Sequence, residues 1–423
     1  MNILCISKYA SPPNYSKMPA RLFVLVKEFI KLGHNATLIT SDSNHFSTYP
    51  NTDNIHNFET VEGVSLCWIK TKKYIKTASL ARVLSWFDFE RKLFKLDLKK
   101  INKPDVIIVS SLSIFSIIYG YFLKKKFNSF LVFEIRDIWP LTMTEEGGFS
   151  KWHPLVLLIG FIEKFGYKKA DLVVGTMPRL DLHVKNILGY ERPFHCSPLG
   201  FDPINYQEEI IGNNPFDEVF PKNKVIVGYA GSMGITNALE PLIETIKLLE
   251  NNENIHFMLV GSGDLKDIFE EQLKNCDNVT FLPRIGQNEV KYFLQKCDIL
   301  YLSTKDSKVW EYGQSMNKVV EYMVAGKPII ASYTGYPSMV NEANCGLFIK
   351  SSNPEDLKEA ILNITTLTLE DIKQLGEEVK EHYPELDLSN MKKVAKLKAE
   401  QKVGDGVAKA NEFLEAVESY TQG

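Results

Sequence analysis

Glu321 is the residue from which a chemistry can be read outward. It lies in the stretch Gly313 to Pro328, which opens with small and polar residues and turns helical at about Met316. Val319, Val320, Met323 and Val324 fall at helical spacing and are expected to be buried. Gly326 stands where a helix-terminating glycine belongs, and Lys327-Pro328 ends the helix before a strand at Ile329–Ser332. Ser315 or Asn317 is the expected N-cap. A free helix N-terminus is an anion site, because its unpaired N–H groups and the dipole point the same way. Glu321, one turn inside, would reach past a bound phosphate to a pair of sugar hydroxyls. Two readings stay open: phosphate on the helix end with the carboxylate on a ribose, or a surface helix with a solvated glutamate.

Two further stretches have residues suited to chemistry. Lys224–Ala230 reads as a strand, followed by Gly231-Ser232-Met233-Gly234 and a helix from about Asn237 to Leu249. Glycines between a strand and a helix let backbone N–H groups approach a phosphate closely. No basic residue occurs between Ser232 and Ile246, so the charged partner of a diphosphate is sought in Arg284, after the run Val279–Pro283, or in Lys318. In the first half, the strand Leu131–Ile135 delivers Arg136-Asp137 to a loop stopped by Pro140. There the pair is placed to face a ligand in a cleft, or to pin its own loop.

The elements that must position these residues are those of parallel α/β sheets. Asn2–Ser7 is a strand, Pro19–Leu32 is helical, Gly33-His34 ends that helix and Ala36–Thr40 is the next strand, a βαβ opening. Ligands of such sheets bind beyond the carboxyl ends of the strands. Val61–Ile69 reads as one strand. Lys70–Lys100 is basic and aromatic, with Leu80, Val83, Leu84, Phe87 and Leu93 as an apolar helical stripe, either against a membrane interface or packed on its own domain. The apolar run Val106–Leu123 carries four serines, and is read as a strand (Val106–Val109), a serine turn and a core-facing helix ending at Lys124–Lys126 rather than a membrane span. In the second half strands are expected at His256–Val260 and Asp298–Leu302, and helices at Pro354–Asn363 and Leu369–His382. A polar helical tail is expected from Leu388 to Tyr420.

A chain of 423 residues with 44% hydrophobic and 24% charged residues has room for two domains, each with a core. Its net charge of −3 conceals a split. Met1–Pro203 has 27 Lys+Arg against 18 Asp+Glu, and the rest has 22 against 34. A basic half suits an anionic partner; with no nucleic-acid motif, a membrane surface or a polyprenyl diphosphate ranks above nucleic acid. The six cysteines form no CxxC pair, which argues against a zinc site and for a reducing compartment. The opening residues run straight into a strand without the pattern of a signal peptide.

Glu321 followed by Ala325-Gly326-Lys327-Pro328 resembles half of the Glu, seven residues, Glu motif of the retaining glycosyltransferases of family 4. Gly33-His34, Ala170-Asp171, Ser197–Asp202 and Gly261–Asp264 resemble segments of the same family. The family's first Glu falls at Gly313, with Glu311 the nearest carboxylate upstream, and its usual Gly-Gly pair in the first loop is replaced by Asn14-Tyr15-Ser16. Arg136-Asp137 with Trp139-Pro140 resembles the bacterial surface-polysaccharide branch, which includes N-acetyl-L-fucosamine transferases acting in capsule and O-antigen synthesis. The resemblance implies a GT-B fold, with two doubly wound Rossmann-like domains facing across a cleft: an acceptor domain at 1–203, a linker at 204–223, a donor domain at 224–385 and a helical tail at 386–423 that crosses back to the first domain. It implies a UDP-linked donor, an N-acetylated hexosamine or deoxyhexosamine. Gly231, Ser232, Gly234, Arg284, Ser315, Asn317, Lys318 and Glu321 would hold that donor, and Asp137 and Arg136 would act at the sugars. It also implies transfer with retention, without metal or other cofactor, to a lipid-linked saccharide at the cytoplasmic membrane face. A UDP-sugar epimerase of the same fold and a catalytically inactive nucleotide-sugar-binding subunit stay open as alternatives.

Overall fold

The computed structural model describes residues 1–12, 15, 21–43, 52–74, 79–199, 218–336, 340, 346–349, 353–366 and 406–421. The chain divides into two compact units, Met1–Leu199 with Asp405–Gly423, and Gly200–Gly404. Asn14, Ser16, Gly200–Asp202, linker residues 204–217 and the expected helix Leu369–His382 lie outside the described residues.

Among the described residues the first unit has eight strands: β1 (Asn2–Ile6), β2 (Asn35–Ser41), β3 (His56–Val61), β4 (Val64–Ile69), β5 (Val106–Ser110), β6 (Phe130–Ile135), β7 (Leu172–Gly175) and β8 (Phe194–Cys196). Their order is β3-β4-β2-β1-β5-β6-β7-β8, and every pairing is parallel except β3 with β4. Val61–Ile69 is therefore not one strand. The chain reverses at Glu62 and Gly63, both with positive φ, and the two arms pair as a hairpin. The central strands are apolar on both faces, as strands covered by helices on each side must be: Val106–Ser110 is wholly buried.

Apolar spacing places the helix Arg21–Lys31 on this sheet through Leu22, Phe23, Leu25, Val26 and Phe29. The helix Gly406–Thr421 packs beside it, adding Phe413, Leu414 and Val417 to the same core, with the Phe29 and Phe413 rings 5.9 Å apart. The run after β5 forms the helix Ser116–Phe127, and no helix among the described residues is long and apolar enough to cross a membrane. The helix Leu80–Leu93 corrects its expected stripe: Leu80, Leu84 and Phe87 face solvent, while Trp86, Phe89 and Leu93 are buried. One buried ion pair ties the unit together. Arg21 Nε lies 2.9 Å from Glu134 Oε1, and the same guanidinium donates to the carbonyls of Ser197 and Pro198.

Among the described residues the second unit has six strands, all parallel: β9 (Val225–Ala230), β10 (Ile255–Val260), β11 (Val279–Leu282), β12 (Ile299–Ser303), β13 (Ile329–Ser332) and β14 (Gly346–Ile349), in the order β11-β10-β9-β12-β13-β14. The chain winds outward from β9 to β11, then crosses back to β12 and winds the other way. Its switch point lies between β9 and β12, where diverging loops open a crevice at the carboxyl ends. Helices Glu240–Leu248 and Pro354–Thr366 bury Leu242, Ile243, Ile246, Leu357 and Ile361 on one face of this sheet.

Candidate functional site

The loop after β9 is built against the loop after β10. Gly231 N–H donates to the Val260 carbonyl at 2.9 Å, Met233 N–H to the Ser262 carbonyl at 3.0 Å, and Leu265 N–H back to the Met233 carbonyl at 3.0 Å. Such close backbone contact admits no side chain. A Cβ on Gly261, whose φ is +151, would stand 1.8 Å from the Gly231 carbonyl oxygen, and one on Gly263 would stand 2.4 Å from that of Met233. Half of the N–H groups expected to meet a phosphate are thus committed to the fold. Those of Ser232 and Gly234 are left without a backbone partner among the described residues.

The helix opposite is Asn317–Ala325. Val319, Val320, Met323 and Val324 are buried, and Gly326 (φ 68) ends it. Neither Ser315 nor Asn317 caps it; Met316 takes that position with no side-chain cap, held instead by the Gln314 side chain. Its placement comes from a residue that the sequence reading passed over. Tyr322 is fully buried, and its hydroxyl accepts from Ala230 N–H at 3.0 Å, pinning the helix to the end of β9.

That pinning carries Lys318 onto the loop. Its Nζ lies 3.1 Å from Tyr229 Oη, 3.3 Å from Asn237 Oδ1 and 4.4 Å from the Tyr229 ring centre. A Cβ on Gly231 would meet this amine at 2.6 Å. Burial pushes the amine down to about 8, opposed by the charge of Glu321. Glu321 is half-buried one turn further on. Its carboxyl is raised, first by burial and against the pull of Lys318. It makes no hydrogen bond or ion pair among the described residues, an expensive state for a carboxylate unless a ligand supplies the donors. The N–H groups of Asn317 and Lys318 open the helix on the same side. Thr304, just after β12, buries a hydroxyl without a partner among the described residues, a feature with no sequence signal.

The remaining expected donor residues are less closely gathered. Arg284 is exposed after the outermost strand β11, with no hydrogen bond or ion pair to the loop after β9. Asn317 is exposed and Ser315 half-buried. Gly313 has φ 92, a backbone that favours glycine over any side chain, and Glu311 is exposed on the short 3-10 turn Lys308–Tyr312.

The first unit holds its own polar cluster at the ends of β1 and β6. Arg136 and Asp137 are half-buried, and neither side chain forms a hydrogen bond among the described residues. Burial lowers the Arg136 guanidinium and raises the Asp137 carboxyl, each opposed by the other. Arg82 also acts on Asp137. Sequence reading missed Lys8, which is fully buried after β1. Its amine donates to the Ser43 carbonyl at 3.0 Å, lies 4.7 Å from the Tyr9 ring, and is pushed down to about 7 by burial. Tyr9 Oη receives Trp86 Nε1 at 2.6 Å and Arg82 Nε at 3.4 Å. Glu90 accepts from Ser116 and is pushed up to about 8 by burial.

Residues 224–366, about a third of the chain and most of the described part of the second unit, match the family model described as Glycosyl transferases group 1. An uncharacterized glycosyltransferase of Methanocaldococcus jannaschii, MJ1178, is 31% identical over 157 residues, which is 36% of this chain and 41% of that protein. The chain therefore spans less than half the length of this relative. Among solved structures, sucrose-phosphate synthase from Thermosynechococcus elongatus has a TM-score of 0.69 at 17% identity, covering 100% of this chain and 98% of that one. Anabaena HepE, solved in complex with UDP, gives 0.63 at 15% identity over 99% and 100%. Likeness at this level of identity is likeness of fold. Two Rossmann-like units with parallel sheets make this a GT-B fold.

Proposed function

We propose that this chain is a glycosyltransferase whose second unit holds a nucleotide-sugar donor and whose first unit receives the acceptor. The observation that carries the reading is Glu321. An unpartnered, half-buried carboxylate stands one helical turn from an ammonium that lies on a glycine loop, at the switch point of a parallel sheet. In this reading the Glu321 carboxylate accepts from the two ribose hydroxyls. Lys318 and the N–H groups of Ser232, Gly234, Asn317 and Lys318 face the diphosphate. As the bond to the sugar breaks, negative charge gathers on the departing diphosphate, and these fixed donors stabilise it without a metal ion. The binding of UDP by HepE, a protein of the same fold, supports uracil as the donor base.

The finer assignments follow the sequence resemblance. The transferred sugar is an N-acetylated hexosamine or deoxyhexosamine, the transfer retains configuration, and the acceptor is a lipid-linked saccharide of surface-polysaccharide synthesis at the inner membrane face. Arg136 and Asp137 face the sugars, with Arg82, which acts on Asp137, as a further contact. Isothermal titration of the purified chain with UDP, GDP and ADP tests the donor reading. Binding of UDP alone, lost in Glu321→Ala, is expected. Equal affinity of wild type and variant for every nucleotide would remove the ribose contact and the proposal with it. Turnover of a UDP-sugar without any acceptor would favour the epimerase, and binding with neither transfer nor hydrolysis the inactive subunit.

A further inference from the structure

Three helices of the first unit lie side by side and turn apolar residues outward. Pro154–Lys169 buries Val156, Ile159, Ile162, Gly166 and Tyr167, which leaves Leu157, Leu158, Phe161, Lys164 and Lys168 as its outward stripe. Phe161 is 67% exposed, and Trp152, just ahead of the helix, is 83% exposed. Ser116–Phe127 exposes Ile118 and Phe122, then Lys125 and Lys126. Leu80–Leu93 exposes Leu80, Leu84 and Phe87, with Phe94 following. Ring contacts join the three: Phe94 with Phe122 at 5.6 Å, and Tyr121 with Phe165 at 5.4 Å. Single exposed apolar residues are ordinary on a protein surface, but a continuous face of them across three helices marks an interaction surface.

The charges on this face choose the partner. Lys125, Lys126, Lys164 and Lys168 have no carboxylate partner among the described residues. Two of them lie over rings of the face, Lys125 over Tyr121 at 5.8 Å and Lys126 over Phe122 at 5.9 Å, so their stems add apolar surface while their ammonium groups reach outward. Two copies of the chain paired through this face would oppose lysine to lysine. An anionic bilayer would neutralise these groups and take the tryptophan, phenylalanine and leucine side chains at its headgroup boundary. We infer that this face, with Trp152, Leu157 and Phe161 at one end and the unpaired lysines at the other, docks the chain on an anionic lipid surface. It rests on the proposed function only for its purpose, which is to bring the first unit to a lipid-linked acceptor.

The test is cosedimentation of the full chain with vesicles of phosphatidylcholine alone and of phosphatidylcholine mixed with phosphatidylglycerol. Wild type should sediment with the mixed vesicles only, and less at high salt. Trp152→Ser with Phe161→Glu, and separately Lys164→Glu with Lys168→Glu, should each lower the bound fraction about tenfold or more. All four side chains are exposed, so melting temperature should hold. UDP binding in the second unit should also hold, which separates failure of this inference from failure of the donor site. Equal binding of variants and wild type, or no preference for the anionic vesicles, overturns the inference. So does a wild-type dimer in gel filtration that the same substitutions dissolve, since the face would then pair copies of the chain.

Discussion

The two units place polar groups at the same end of similar sheets and treat them differently. After β9 of the second unit, the loop commits the Met233 carbonyl and half its N–H groups to the neighbouring loop, and leaves Glu321 and the N–H groups of Ser232 and Gly234 without partners among the described residues. After β1 of the first unit, many of the polar groups answer one another. Lys8 bonds to the Ser43 carbonyl, Arg82 and Trp86 to Tyr9, and Arg21 to Glu134. Unsatisfied groups cost stability and are kept where a ligand completes them, whereas satisfied networks fix a framework. On this contrast the second unit presents a site and the first unit presents chiefly a scaffold, with Arg136 and Asp137 as its open members.

The largest effect should come from breaking the scaffold. Arg21→Ala leaves Glu134 buried without its ion-pair partner; Arg21 is the larger of the two charges, with Arg136, that hold its carboxyl below the usual range against the push of burial. Loss of one partner of such a pair costs about 3–5 kcal/mol. Thermal or denaturant unfolding should show that loss, and Arg21→Ala combined with Glu134→Gln should recover part of it. If the single variant melts with wild type, the first unit does not depend on this pair.

Next is the site itself. On the proposed reading Glu321→Ala removes the acceptor of two sugar hydroxyls, and hydrogen bonds to a charged group are worth about 1.5–3 kcal/mol each, so UDP affinity should fall about 100-fold or more with little change in melting temperature. Glu311→Ala, at an exposed position, should bind as wild type does. A loss of affinity at Glu311 in place of Glu321 would reverse the contrast within the second unit.

How much of this was legible follows from how local each arrangement is. The donor-side elements lie within two short stretches, and apolar spacing with Gly326 and Pro328 fixed the helix to within a residue. Its cap was misread, because Gln314 and the burial of Tyr322 set the start, and neither follows from cap propensity. Gly261 and Gly263 read as a turn, but their need for contact with residues some thirty positions earlier could not be read from the turn. The first-unit cluster draws on residues near 8, 43, 74, 82, 90 and 137, brought together only by sheet order, so Lys8 resembled any lysine after a strand. The Leu80–Leu93 stripe failed for a related reason: periodicity reports that a helix has an apolar face and not which face the fold covers, and here both faces are apolar.

Lys318 sharpens the contrast through pH. Burial pushes its amine down to about 8 in the free protein, and on the proposed reading a diphosphate binds the charged form. UDP affinity should be level below pH 8 and fall above it, with proton uptake on binding in that range, seen by titration calorimetry in buffers of different ionisation heat. Lys318→Arg, always charged, should flatten the profile. A profile that is already flat in wild type would leave the diphosphate to backbone groups alone.

Lys8 should give an effect of the opposite kind. It is a buried amine at about 7 in the folded chain against 10.5 when unfolded. Between those values the unfolded chain binds more protons, so this group makes stability rise with pH through that window. Below it, the folded chain holds a charge that burial disfavours at full cost. Lys8→Met keeps the volume and removes the charge, at the loss of one hydrogen bond to Ser43. Relative to wild type it should gain most near pH 6.5 and lose that gain progressively toward pH 9, in melting temperatures taken across the range. UDP affinity should not change, because the group belongs to the other unit. A Lys8→Met variant that loses stability equally at every pH would mean that the ammonium is well satisfied by Ser43 and by the rings of Tyr9 and Tyr74, which lie 4.7 and 5.4 Å from it. The first-unit network would then be closed at Lys8 as well, leaving Arg136 and Asp137 alone to meet an acceptor.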